Sequence, residues 1–234
     1  MQTSKNSTLT RVALEYSNLK YSFQSRKRWN EMSEDELWEE LCVCILSSNV
    51  PYELALSAFQ HLRKNNLLSR EWITTDPNAA KIIALELSKP IYIPKKKDGS
   101  NRKYRFPNVR AFNLVNAAKA LYGKKYSLCS ILKSNASERE IRDFLSENIP
   151  GIGLKEASHF LRNIGYSNSL AIIDTHVIAF LLKIGVLQEK NIDTITPSVY
   201  LKLEKILQDL CDTLGLNLSI FDMAIWRCMR SKSK

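Results

Sequence analysis

The sequence predicts an all-α protein with at most one small β-hairpin. Three observations lead there. Apolar residues recur at helical spacing through most of the chain, capping residues and helix-opening prolines punctuate those stretches, and no internal repeat or low-complexity linker interrupts them. With 234 residues, 44% of them hydrophobic, the chain is long enough for one large domain or two small ones, each with its own core.

Residues 1 to 10 are polar and read as frayed, and a short helix is expected over Leu14 to Phe23. Ser33 and Glu36 are spaced as a capping box for a helix through Leu37, Leu41, Cys44 and Ile45 that ends at Ser47-Ser48-Asn49. Pro51 is expected as the first residue of the next helix, which buries Leu54, Ala55, Ala58, Phe59 and Leu62. Asp76-Pro77 caps a helix from Asn78 to Leu87, and Asp98-Gly99 then separates two short β-compatible segments, the one candidate hairpin. Asn108 to Tyr122 reads as a helix with Val109, Phe112 and Leu121 inward and Gly123 as its stop.

The pattern is densest from Glu138 to Phe180. A second capping box, Ser137 with Glu140, opens a helix carrying Ile141, Phe144, Leu145 and Ile149. A tight Pro150-Gly151-Ile152-Gly153 turn follows, and Ala157, Leu161 and Ile164 share one face of the next helix, which Gly165 ends. The two turn glycines let the backbone double back and leave bare N–H groups at a helix start, an anion site that a phosphate fits. Asp174, after the apolar run Leu170 to Ile173, reads as the N-cap of a helix from Thr175 to Ile184. Thr196-Pro197 opens a long helix, and the last one spans Ser219 to Met229.

The 34 Lys and Arg against 24 Asp and Glu give a net charge of +10, which favours a polyanionic partner. Half of that excess lies between Lys95 and Arg105, where six basic residues stand against one acidic. Lys95, Lys96, Lys97, Arg102 and Arg105, interleaved with Tyr92, Tyr104 and Phe106, are the expected nucleic-acid contacts there, with a solvated charge run as the alternative. The five cysteines are odd in number and no apolar signal segment opens the chain, so a reducing, intracellular setting is expected. No pair has Cys-x-x-Cys spacing, which argues against zinc, and Cys42 and Cys44 read as small buried thiols. The longest apolar runs fall far short of a membrane span.

The Pro150-Gly151-Ile152-Gly153 turn, Lys155 just after it and an Asp 19 positions beyond that Lys together resemble the helix-hairpin-helix DNA glycosylases of the bifunctional branch. Within that branch, the run from Gly153 to Tyr166 is similar to the type 2 8-oxoguanine DNA glycosylases. The likeness is specific over residues 138 to 180 and general elsewhere. It implies a two-lobed helix-hairpin-helix glycosylase fold: a helical barrel over residues 30–165, and a second helical domain from residues 1–29 with 166–234. A base flipped out of the duplex would enter a cleft between them.

The resemblance also implies an activity, 8-oxoguanine excision with abasic-site lyase chemistry. Breaking an N-glycosidic bond develops a cationic sugar, which calls for an anion to stabilise it and a nucleophile to trap it. Asp174 matches the first role and Lys155 the second. Pro150, Gly151, Ile152 and Gly153 would hold a DNA phosphate. Asn49 sits where these enzymes probe the duplex, or it belongs to a plain interhelical turn. His159 would face the base pocket or serve as a structural histidine, and Trp226 would stack on the extracted purine or fill the core. Endonuclease III and the adenine glycosylases end in four clustered cysteines around an iron–sulfur cluster; here Cys211 and Cys228 are the only late ones, so no cofactor and no metal are expected. The expected partner is duplex DNA containing a damaged base, met by a monomer in the cytoplasm or nucleoid and away from membranes. A non-catalytic helix-hairpin-helix DNA-binding protein and a glycosylase for another damaged base are the alternatives.

Overall fold

The computed structural model describes residues 2–24, 27–123, 126–188 and 195–230. They hold twelve α-helices: α1 Gln2–Gln24, α2 Glu34–Ser47, α3 Tyr52–Lys64, α4 Arg70–Thr75, α5 Ala79–Ser88, α6 Pro107–Tyr122, α7 Leu128–Leu132, α8 Glu138–Asn148, α9 Leu154–Asn163, α10 Thr175–Lys183, α11 Pro197–Leu214 and α12 Leu218–Arg230. The all-α reading holds. Where a hairpin was the candidate, among the described residues only an isolated antiparallel bridge joins Tyr92 and Arg102.

Two compact units emerge, one from Trp29 to Phe160 and one that combines the residues up to Arg28 with those from Leu161 onward. In the first, α5 and α4 pack on α6, and α2 packs on α3, α6 and α7. Leu37, Trp38, Leu41 and Ile45 of α2 and Leu114 and Ala118 of α6 are buried there. The buried indole of Trp38 donates to the Leu68 carbonyl at 2.8 Å, which satisfies its one polar group. Both expected capping boxes form, Ser33 with Glu36 on α2 and Ser137 with Glu140 on α8. Each supplies about 1 kcal/mol by satisfying helix-start N–H groups.

In the second unit, α1 and α10 pack against α12, as does α11. The frayed reading of residues 1 to 10 is corrected, because α1 already begins at Gln2. Its polar composition hides a narrow buried stripe of Thr8, Val12 and Leu19, and Arg11 donates to the Cys228 carbonyl of α12 at 3.3 Å.

Three local expectations also change. Pro51 is the N-cap of α3 rather than its first helical residue. α5 is preceded by Asn78, and Asp76 serves one step earlier by accepting the Asn78 N–H at 2.7 Å. On α6, Leu121 is buried as expected but Val109 and Phe112 are 54% and 62% exposed, and the rest of the inward face is Ala111, Leu114, Val115, Ala117 and Ala118. Small alanines allow α5 to approach closely, so that face wins over the one bearing the larger side chains.

Candidate active site and nucleic-acid interface

The turn between α8 and α9 is held by three features. Gly151 lies in the left-handed region at φ +82, Ile152 is buried, and the Ile152 N–H closes the turn on the Ile149 carbonyl at 3.1 Å. Gly153 is exposed, but its N–H is not bare as expected. It donates to Glu156 Oε2 at 3.3 Å. Glu156 is the third residue of α9, from which a carboxylate reaches back to the residue before the helix, so the chain supplies its own anion at this helix start. The Gly-x-x-Glu spacing is the signal that sequence reading passed over.

Lys155 occupies the first turn of α9 with its side chain 34% exposed, and its Nζ is 3.8 Å from Glu156 Oε1. The amine is thus partly sheltered and still open to a substrate. His159 lies one turn further along α9 and is half-buried.

Asp174 is the N-cap of α10. Its Oδ1 accepts both the His176 N–H at 2.8 Å and the Val177 N–H at 2.9 Å, so the two cap bonds converge on one oxygen and Oδ2 takes neither. The apolar segment before it, Leu170 to Ile173, is buried and belongs to no helix or strand. Its backbone groups find side-chain partners. Leu170 N–H donates to Ser167 Oγ at 3.2 Å, Ala171 N–H to Glu204 Oε1 at 3.2 Å, and Tyr200 Oη donates to the Ala171 carbonyl at 2.7 Å. The Ile172 N–H lies near enough to the Asp222 carboxylate to favour its charge. Buried backbone outside helix and sheet would otherwise be costly.

Asp222 is itself buried and accepts a hydrogen bond from Arg162 Nη1 at 2.6 Å. Burial pushes its carboxyl up to about 7 against the pull of Arg162, and the negative charge of Asp174 adds to the rise. Sequence reading missed this pair, since neither residue carries a local motif. On the far part of α12, Trp226 is half-buried and the Arg230 guanidinium lies 4.6 Å from its ring centroid.

Asn49 is exposed at φ 56, a left-handed position that Asn tolerates. The loop around it is strapped from behind. Tyr104 Oη donates to the Leu46 carbonyl, Arg110 Nη2 to the Ser48 carbonyl at 2.6 Å and Arg105 Nη1 to the Asn49 carbonyl at 3.4 Å. Arg105 and Arg110 also flank the Phe106 ring at 4.9 and 5.8 Å.

In the basic segment, Lys95, Lys96 and Lys97 are exposed around a turn in which Asp98 Oδ1 accepts from the Ser100 N–H at 2.9 Å and its hydroxyl at 2.6 Å. One expectation is corrected here, that for the two tyrosines. Tyr92 and Tyr104 are buried anchors rather than exposed stacking surfaces, Tyr92 Oη donating to the Glu86 carbonyl at 2.6 Å. Arg102 commits its Nε to the Pro94 carbonyl at 2.8 Å, which closes the loop on itself. Among the described residues, no group of three or more His, Cys, Asp and Glu is arranged to hold a metal ion, and no helix is long and apolar enough to cross a membrane.

A family model described as 8-oxoguanine DNA glycosylase matches residues 96–216, a span that takes in the turn, Lys155 and Asp174. The 8-oxoguanine DNA glycosylase/AP lyase of Saccharolobus solfataricus is 35% identical over 202 residues, 85% of each chain. The chain belongs to the 8-oxoguanine DNA glycosylase family. Two solved structures of the 8-oxoguanine DNA glycosylase family from Methanocaldococcus jannaschii are similar in fold. The crystal structure of the 8-oxoguanine DNA glycosylase aligns with a TM-score of 0.70 at 30% identity, covering 94% of this chain and 91% of that one. A glycosylase/lyase in complex with 15mer DNA containing 8-oxoguanine aligns with a TM-score of 0.64 at 29% identity, covering 95% and 88%. An all-α framework does not by itself fix the chemistry, which has to be read from the side chains that it positions.

Proposed function

We propose that this chain is a bifunctional DNA glycosylase/AP lyase that removes 8-oxoguanine from duplex DNA and then cuts the strand. The observation that carries this reading is the pair of helix starts: a half-sheltered amine one step beyond the helix-hairpin-helix turn, and an N-capping carboxylate with one oxygen left over. A pure binding module has no need of both.

The Lys155 amine, in its neutral form, attacks the sugar C1′. The N-glycosidic electron pair leaves with the base, which takes up a proton. The ring then opens at O4′ to give an imine between C1′ and Nζ. Asp174 Oδ2 faces the positive charge that develops on the sugar as that bond breaks. With the imine as electron sink, loss of a 2′ proton expels the 3′ phosphate, and water releases Lys155. The turn Pro150-Gly151-Ile152-Gly153 holds a backbone phosphate once Glu156 yields its place, Lys95, Lys96, Lys97 and Arg105 add sequence-independent contacts, and Asn49 meets the bases left in the stack. His159 and Trp226 are each assigned to contact the extracted purine. The protein acts as a monomer on the DNA inside the cell and uses no cofactor.

Borohydride reduction tests the reading. Wild-type protein on an 8-oxoguanine duplex should yield a covalent adduct through Lys155. Lys155→Gln should lose the adduct and strand cleavage while still binding, and Asp174→Asn should excise about 100- to 1,000-fold more slowly. Binding with no adduct from wild-type protein would favour the non-catalytic module, and faster removal of thymine glycol than of 8-oxoguanine would reassign the lesion.

A further inference from the structure

The segment that delivers Asp174 has no helix or sheet of its own, so its position is set by the side chains that take its backbone groups. Ser167 and Tyr200 offer neutral hydroxyls, and the Glu204 carboxylate takes the Ala171 N–H. The fourth partner is different. Asp222, whose charge the nearby Ile172 N–H favours two residues before Asp174, takes the Arg162 guanidinium at the end of α9, and both charged side chains are buried, at 2% and 7% exposure. A charge-assisted bond of 2.6 Å in a dry interior is stiff. It ties α9 to α12 at a carboxylate that lies near the segment leading to Asp174. Taken with the reading of Asp174 as the charge-stabilising group, on which this rests, we propose that Asp222, held by Arg162, is a positioning residue that fixes where the Asp174 carboxylate meets the sugar.

The alternative is that the pair merely holds α9 to α12. Buried ion pairs often contribute little net stability over an apolar pair of the same shape, so a role in packing alone would not require one here. Asp222 also feels Asp174 directly, since the negative charge of Asp174 disfavours the charged form of Asp222. The charged and titratable groups facing Asp222 are Arg162 on α9, Asp174 at the head of α10 and Cys211 on α11. Arg11 and Glu15 of α1 engage α12 further along, at Cys228 and Arg227. On protonation Asp222 surrenders an acceptor oxygen to the proton, its bond to Arg162 loosens and its attraction for the Ile172 N–H weakens with it.

The experiment measures two rates in the full chain: removal of 8-oxoguanine in a single turnover across pH 5.5 to 8.5, and β-elimination at a preformed abasic site, where no N-glycosidic bond remains to be broken. Misplacing a reacting group by about 1 Å costs on the order of a hundredfold, so Asp222→Asn should slow base removal by about that factor while strand cutting at the abasic site stays within about threefold. Wild-type base removal should rise with pH through the neutral range, and that limb should vanish in Asp222→Asn. Because this variant leaves the Arg162 guanidinium buried without its carboxylate, the Arg162→Gln/Asp222→Asn double variant, which buries no charge, is measured beside it and should show the same split. Equal loss of both rates in folded double variant, or base removal at the wild-type rate with the neutral limb intact, overturns the inference. Asp174→Asn keeps the two readings apart: if it abolishes base removal while the Asp222 variants do not, the site reading stands and the positioning role fails, whereas if Asp174→Asn works normally both fall.

Discussion

A side chain on Gly151 would collide with Asn113. The Cβ built at Gly151 lies 2.6 Å from both Asn113 Cβ and Nδ2, and φ at this residue is +82. The helix-hairpin-helix turn is therefore seated against α6 at van der Waals distance, and two separate costs attach to any residue other than glycine. Gly151→Ala should destabilise the protein by about 2 kcal/mol or more, from the left-handed backbone and the overpacking together. Urea unfolding midpoints measure this. Adding Asn113→Ala should not restore stability, because the clashing Cβ remains, and Asn113→Gly should restore part of it. A Gly151→Ala protein as stable as wild type would show that the turn is not held against α6.

Glu156 occupies the Gly153 N–H in the free protein, and a DNA phosphate would have to compete with that carboxylate. Glu156→Gln keeps a group able to accept this hydrogen bond and removes the charge. It should bind undamaged duplex about two- to fivefold more tightly at low salt, the equivalent of roughly 0.3–1 kcal/mol at a helix start. Fluorescence anisotropy against salt concentration gives the answer, and weaker binding by the variant would mean that Glu156 supports the phosphate site instead of guarding it.

Lys95, Lys96 and Lys97 are exposed on a turn whose own hydrogen bonds do not use their amines. Replacing all three with Ala should weaken binding to damaged and undamaged duplex alike and reduce the slope of log affinity against log salt by about 0.9 for each phosphate that is no longer neutralised. An unchanged slope would make the loop a bystander.

Stability should depend on pH through Asp222. Burial raises its carboxyl from the ordinary value of 3.8 to about 7 in the folded protein. The folded state thus binds a proton that the unfolded state has released, and stability falls as pH rises across that window. The stabilisation is complete below the unfolded value and gone above the folded one. Urea midpoints for wild type minus those for Arg162→Gln/Asp222→Asn should decline from pH 4 to pH 7.5. A difference that stays flat or climbs would place the folded carboxyl at or below its ordinary value.

Local chemistry is what the sequence made legible. Ser33 with Glu36, Ser137 with Glu140, Asp174 and Thr196 each announce a helix within four residues, and each does so in the structure. Pairings over longer range were not legible. Periodicity on α6 offers Phe112 or the alanines as an inward face, and only the approach of α5 decides for the alanines. Tyr92 and Tyr104 look no different from exposed aromatics until their hydroxyls are seen to reach the Glu86 and Leu46 carbonyls. Arg162 and Asp222 are 60 residues apart, and nothing in either neighbourhood points to the other. α4 and α7, at 6 and 5 residues, are too short to show a period at all.

The chain leaves one compact unit after Arg28 and returns to it at Leu161, and this shapes its birth on the ribosome. Of the twelve helices α1 is made first, yet the surface that covers its Val12 and Leu19 is on α12, which is made last. The stretch from Trp29 to Phe160 has its full complement of helices well before then and can condense as synthesis proceeds. Through that interval α1 waits without its partner, a weakly apolar nascent segment within reach of chaperones and proteases. A ribosome that stalls before α12 would release a chain with Lys155 already on its helix and Asp174 lacking the carboxylate of Asp222, which lies on that unmade helix.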